Sequence, residues 1–188
     1  MYGYDYENEI LLLMRVLKYL FQSDQNSFHI LLSGGKELDC DDLYDTAESL
    51  FDCIFVNAEI DFDTESQLDV IYLSHPSLDK FLSLSREWCS LSGTSIGARR
   101  KQLEDIMDFF LVGAGYIIYD IKYHFTDNSV QITLWMSPDW YEPLLFLNYL
   151  VSLLLYVQEE NEYLESLIEE KKQEGAMDEE NRLKKEAA

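Results

Sequence analysis

Positive charge is what this chain has least of. Its 188 residues hold 14 lysines and arginines against 36 aspartates and glutamates, a net charge of −22 with histidine neutral. Phosphate recognition needs clustered cations, so direct binding to nucleic acid or to an anionic lipid surface is not expected. Cysteine is scarce as well. Cys40, Cys53 and Cys89 form no C-x-x-C pair, which argues against a disulfide framework and against a thiolate zinc site. A reducing, cytoplasmic setting is the simplest one. With three prolines and eight glycines, the chain suits long regular elements joined by few tight turns. Long apolar runs are missing too. The longest, Leu144 to Val157, includes Asn148 and Ser152, and a bilayer span takes about 20 apolar residues. It reads as a buried helix, and no membrane contact is expected. The acidic, aromatic start from Tyr2 to Glu7 has none of the pattern of a secretion signal.

What is present suffices for a folded core. Apolar residues make up 47% and aromatic residues 14% of the chain, which excludes disorder throughout. We expect one acidic domain over residues 1–170 and a polar tail over 171–188 that frays. Charge is placed unevenly. Residues 1–75 carry 3 cations against 16 acids, whereas residues 76–115 carry five of each. Between Lys36 and Asp69 the acids form a belt interleaved with apolar side chains such as Leu50, Phe51, Ile54 and Phe62. Ten of them, Asp39, Asp41, Asp42, Asp45, Glu48, Asp52, Glu59, Asp61, Asp63 and Glu65, are the candidate partner-binding residues.

Periodicity predicts an α+β fold. Residues 5–22 read as a helix whose apolar surface is broad enough for burial on two sides. Ser27 to Leu32 reads as a short strand closed by the Ser33-Gly34-Gly35 turn, and residues 40–51 as a short helix. From Asp52 to Phe62 apolar residues alternate, which predicts a strand; Leu68 to Leu73 predicts another. Pro76 opens a helix that Ser92-Gly93-Thr94 breaks, and a second helix covers 95–112. Tyr116 to Phe125 and Val130 to Met136 flank Thr126-Asp127-Asn128-Ser129 as a β-hairpin. A long helix from Asp139 completes the order, giving a mostly antiparallel sheet of about five strands with an N-terminal, two central and one long C-terminal helix. Leu150, Leu153, Val157, Leu164 and Leu167 form an apolar stripe on the last helix. Such a stripe marks a self-association surface, and a homodimer is expected.

No catalytic signature accompanies these elements, and neither a metal nor a cofactor is expected. Asp61-x-Asp63-x-Glu65 mimics the start of a calcium loop, but Ser66 and Tyr72 stand where glycine and a bidentate glutamate are required. Ser33-Gly34-Gly35-Lys36 has only the Gly-Lys pair of a phosphate loop and is read as a turn. His29, His75 and His124 are isolated and have no ligand-spaced partner. Arg99-Arg100-Lys101, the one basic cluster, is expected to pair with the acidic belt or with a neighbouring subunit. The chain therefore reads as a non-catalytic acidic protein-binding protein, most simply an inhibitor that occupies the basic nucleic-acid-binding groove of a partner. Anti-restriction and anti-CRISPR proteins act in this nucleic-acid-mimic manner. Over residues 5–165 the element order also resembles class I type III secretion chaperones, which are small, acidic and dimeric. That resemblance implies a cytoplasmic chaperone holding an extended partner segment, although the helix at 95–112 departs from the family's single central helix. An immunity-type toxin inhibitor is a third reading.

Overall fold

Burial at helical spacing decides the first part of the chain. A computed structural model describes residues 6–23, 40–112, 118–138 and 143–188. Helix α1 (Tyr6–Ser23) buries Leu13, Val16, Tyr19 and Leu20 and leaves Leu11 and Met14 exposed. Helix α2 (Cys40–Ile54) buries Ala47, Leu50, Phe51 and Ile54. These three-four repeats overrule the alternation that predicted a strand from Asp52. The helix continues through Ile54, the Phe55 N–H still donates to the Phe51 carbonyl, and Val56 points into solvent. Only Glu59–Asp63 forms strand β1. Burying Ile54 and Phe51 together on one helical face gains more than pairing the seven residues 52–58 in an edge strand.

The remaining elements are β2 (Leu68–Leu73), α3 (Pro76–Ser92), α4 (Ile96–Val112), β3 (Ile118–Phe125), β4 (Val130–Met136) and α5 (Pro143–Glu186). Turn chemistry sets their limits. In α3, Pro76 opens the helix behind an N-cap at His75, and Gly93 closes it at φ 70°, donating its N–H to the Cys89 carbonyl. Only glycine adopts that left-handed conformation without a Cβ penalty. Asp79 of α3 accepts the Val130 N–H at 3.1 Å and so fixes the start of β4.

The fold is α+β, with one antiparallel sheet in the order β1-β2-β4-β3. Four strands are present among the described residues, against the five expected; the segment Ser27–Leu32 lies outside those residues, as does the turn after it. Val130, Ile132, Leu134 and Met136 alternate onto one face, opposite Ile71 and Leu73, and join the buried helix residues in one core. Long helix α5 runs through that core. Its Asn148, buried, donates to the carbonyls of Leu12 and Leu144 at 2.9 Å each, tying α5 to α1. Beyond residue 170 the segment expected to fray continues as helix to Glu186, with every side chain exposed. Four ion pairs within that stretch, such as Lys184–Glu180 at 2.6 Å, support it locally. No helix among the described residues is long and apolar enough to cross a membrane.

Candidate functional site

The acidic belt is carried by two elements. Positions 41, 45, 48 and 52 of α2 recur at steps of four, three and four, which aligns them along one side of a helix. Glu48 and Asp52 are exposed there, away from the buried Leu50, Phe51 and Ile54. The side chains of Asp41, Asp42 and Asp45, and the whole of Asp39, lie outside the described residues. From position 41 to position 52, eleven steps along the helix, the rise is about 16 Å. The four acidic positions therefore stand about 5.5 Å apart along the axis, a sparser array than the about 3.4 Å per phosphate of one nucleic-acid strand.

On β1, Glu59 and Asp61 are exposed, while Glu65 follows in the turn to β2. Asp63 differs from the others. Its Oδ2 accepts from the Ser66 hydroxyl at 2.7 Å and its Oδ1 from the Glu65 N–H at 3.0 Å. Both bonds favour the charged form, the Ser66 hydroxyl most, and hold the carboxyl below the usual aspartate range. The same turn places Gln67 at φ 58°. Asp63 is therefore occupied in organising its own turn, and the calcium-like spacing around it serves that purpose. Among the described residues no group of three or more His, Cys, Asp or Glu side chains is placed to hold a metal ion.

Where the cations go matters as much as where the acids are. Arg86 of α3 and Arg100 of α4 both reach the hairpin turn, where Asp127 lies within 3.7 and 3.8 Å of them. Arg86 also donates to the Asp127 carbonyl and to Asn128. Arg99 donates to Ser85 and Gln102 and lies 4.8 Å over the Phe81 ring. Lys101 pairs with Asp105 at 2.9 Å, which raises its pKa. The basic cluster thus fans out in three directions within its own fold, which corrects the expected pairing with the belt. Nine ion pairs occur among the described residues, and none involves Glu48, Asp52, Glu59, Asp61 or Glu65.

The stripe expected to serve self-association packs within the chain. Leu150, Leu153, Val157 and Leu164 are buried within the chain itself, and Leu167 is half-buried. One chain covers them because α1, α3 and α4 all pack along α5. Two concave sites were not foreseen. A cavity of 410 Å³ lies between α1, α2, α3 and α5, lined by Tyr19, Cys53, His75, Lys80, Asn161 and Glu165 among others. Its polar groups hold helices together. His75 Nδ1 accepts the Ser77 N–H at 3.1 Å, Asn161 donates to the Ser77 carbonyl at 2.9 Å, and Lys80 pairs with Glu165 at 2.7 Å. Burial pushes the Tyr19 hydroxyl up to about 12. A second, apolar groove between α4 and α5 exposes Phe109 beside Ile106, Phe110 and Tyr156. The adjacent Phe109-Phe110 pair, too apolar for one buried helix stripe, was the sequence signal for it.

Comparison with known proteins adds no relative: no family model matches the chain, and no curated protein or solved structure matches it.

Proposed function

We propose that this chain is a non-catalytic binder of basic proteins, docking through the carboxylates of α2 and β1. The simplest such protein is an inhibitor that occupies the nucleic-acid-binding groove of its partner. One observation carries the reading: among the described residues, Glu48 and Asp52 of α2 and Glu59 and Asp61 of β1 have no ion pair, while Lys80, Arg86, Arg100, Lys101 and Lys172 pair with acids of α3, α4, α5 and the hairpin. A protein that used its acids only for solubility would gain by distributing its few cations among them. Unpaired acids in two arrays instead raise the local potential and speed association with a positive groove.

The test compares wild type with a variant carrying Lys at Glu48, Asp52, Glu59 and Asp61. Both are immobilised and exposed to lysate of the native host, and retained proteins are identified by mass spectrometry. Retention by wild type should fall steeply between about 50 and 200 mM salt. Duplex DNA should compete for the retained proteins, and the lysine variant should not hold them. Retention indifferent to salt, to DNA and to the substitutions would exclude the mimic.

A chaperone-type reading has its own support. Strand β1 is an edge among the described residues and exposes Ile60 and Phe62 by 49% and 50%. Edge strands accept an extended segment by strand addition, and the Phe109 groove offers a pocket for apolar side chains. Binding of that kind would survive high salt.

A further inference from the structure

Strand alternation places part of the belt on a particular surface. Register sets Glu59 opposite Tyr72 and Asp61 opposite Val70. Tyr72 then pairs with Thr133 and Val70 with Trp135. Beyond them stand Lys122 and Asp120 on β3. Two rows therefore cross the sheet: Asp61, Val70, Trp135, Asp120 and, beside it, Glu59, Tyr72, Thr133, Lys122. Both lie on the face away from the core, because Ile71, Ile132 and Leu134 alternate to the other side. Neighbouring strands are about 4.8 Å apart. Asp61 and Asp120 accordingly flank Trp135 at about 10 Å and about 5 Å between backbones.

Two observations independent of the acids point to a ligand here. The Lys122 ammonium already sits 4.9 Å from the Trp135 ring centroid, so this indole face accepts a cation. Thr133, only 3% exposed, has a hydroxyl with no hydrogen-bond partner. Two residues from Trp135 on one strand, it faces the same side, and its cross-strand neighbour is Lys122. Buried hydroxyls without partners are uncommon in native folds.

We propose that this sheet face is an arginine-binding surface for a basic partner segment. A guanidinium displaces the Lys122 ammonium, stacks on Trp135 and directs its N–H donors to Asp61 or Asp120. Displacement also opens the Thr133 hydroxyl to one of those donors. Arginine is preferred to lysine because its planar, weakly hydrated group stacks and still presents five donors. This rests on the reading that the acids dock a basic partner, and adds which cation they select.

Isothermal titration of the full-length protein with decaarginine and decalysine tests it. Wild type should bind the arginine peptide about tenfold more tightly. Trp135→Leu should weaken decaarginine binding more than decalysine binding and bring the two affinities close together, with urea unfolding to confirm that the variant is folded. Lys122→Gln, at an exposed position, should raise decaarginine affinity more than decalysine affinity. Equal wild-type affinities, or a preference untouched by both substitutions, would overturn the arginine surface and leave a basic partner in place. Failure of both peptides to bind would overturn both.

Discussion

His75 is an unusual helix cap, and its chemistry makes it a pH-sensitive one. Pro76 has no N–H to cap, so the first orphan donor of the helix is the Ser77 N–H, which the imidazole accepts through Nδ1. Only the neutral ring has that lone pair. Burial, including an edge-on contact with Phe55 at 5.8 Å, pushes its pKa down from 6.5 to about 4. The unfolded chain takes up the proton near pH 6.5, whereas the folded chain resists until about pH 4. Stability from this group is thus complete above pH 6.5 and is lost as pH falls towards 4. The full difference corresponds to about 3 kcal/mol, and partial exposure reduces it to about 2. Asparagine caps a helix and does not titrate. Between about pH 7.5 and pH 4.5, wild type should lose about 2 kcal/mol more urea stability than His75→Asn. Equal losses would mean that the ring is not held neutral. The cap was legible as a Pro76 helix start, but the buried environment of His75 depends on α2 and could not be read from its neighbours in sequence.

At the scale of elements, local signals and long-range contacts divided the work. β2, α3 and the hairpin have their period and their turn residues in agreement, and their limits follow from sequence. The end of α2 is different. Ile54, Val56, Ala58, Ile60 and Phe62 alternate, while Ala47, Leu50, Phe51 and Ile54 repeat at helical spacing, and the contact with α5 selects the second pattern. Helix α5 presents the same difficulty in another form. Its leucine stripe has the look of an interface until α3 is laid against it, with Asn161 bonded to the Ser77 carbonyl and Lys80 to Glu165. Leu164 is only 2% exposed there. Leu164→Glu should cost about 3–5 kcal/mol by placing an unpaired charge in that contact. Leu167→Glu, half-buried, should cost about 1 kcal/mol. Urea unfolding measures both, with light scattering alongside. A Leu164→Glu protein of unchanged stability and altered mass would return these residues to an interface between copies.

For the whole molecule, one set of charges has two opposite consequences. The acids are legible from composition, but that Glu59 and Asp61 share a face with Trp135 depends on strand register, which sequence does not display. Without ion pairs among the described residues, Glu48, Asp52, Glu59 and Asp61 add to a net charge that repels itself in the free protein and opposes compaction. Salt screens exposed charges over about 10 Å at 0.1 M. It also weakens the surface ion pairs, but those contribute about 0–1 kcal/mol each and lie away from the belt. With a net charge of −22, repulsion outweighs them. The melting temperature should therefore rise by several degrees as sodium chloride goes from about 10 mM to 0.2 M, then level off. Chloride is the appropriate salt, because sulfate strengthens apolar burial by a separate route. Neutralising Glu48, Asp52, Glu59 and Asp61 to the amides should raise the melting temperature at low salt and flatten its salt dependence. A melting temperature that fell with added chloride would show the ion pairs to be the larger effect. It would also remove the reason for regarding the bare acids as a cost that a basic partner relieves. If both results come out as expected, the salt that stabilises the free protein will be the salt that releases its partner.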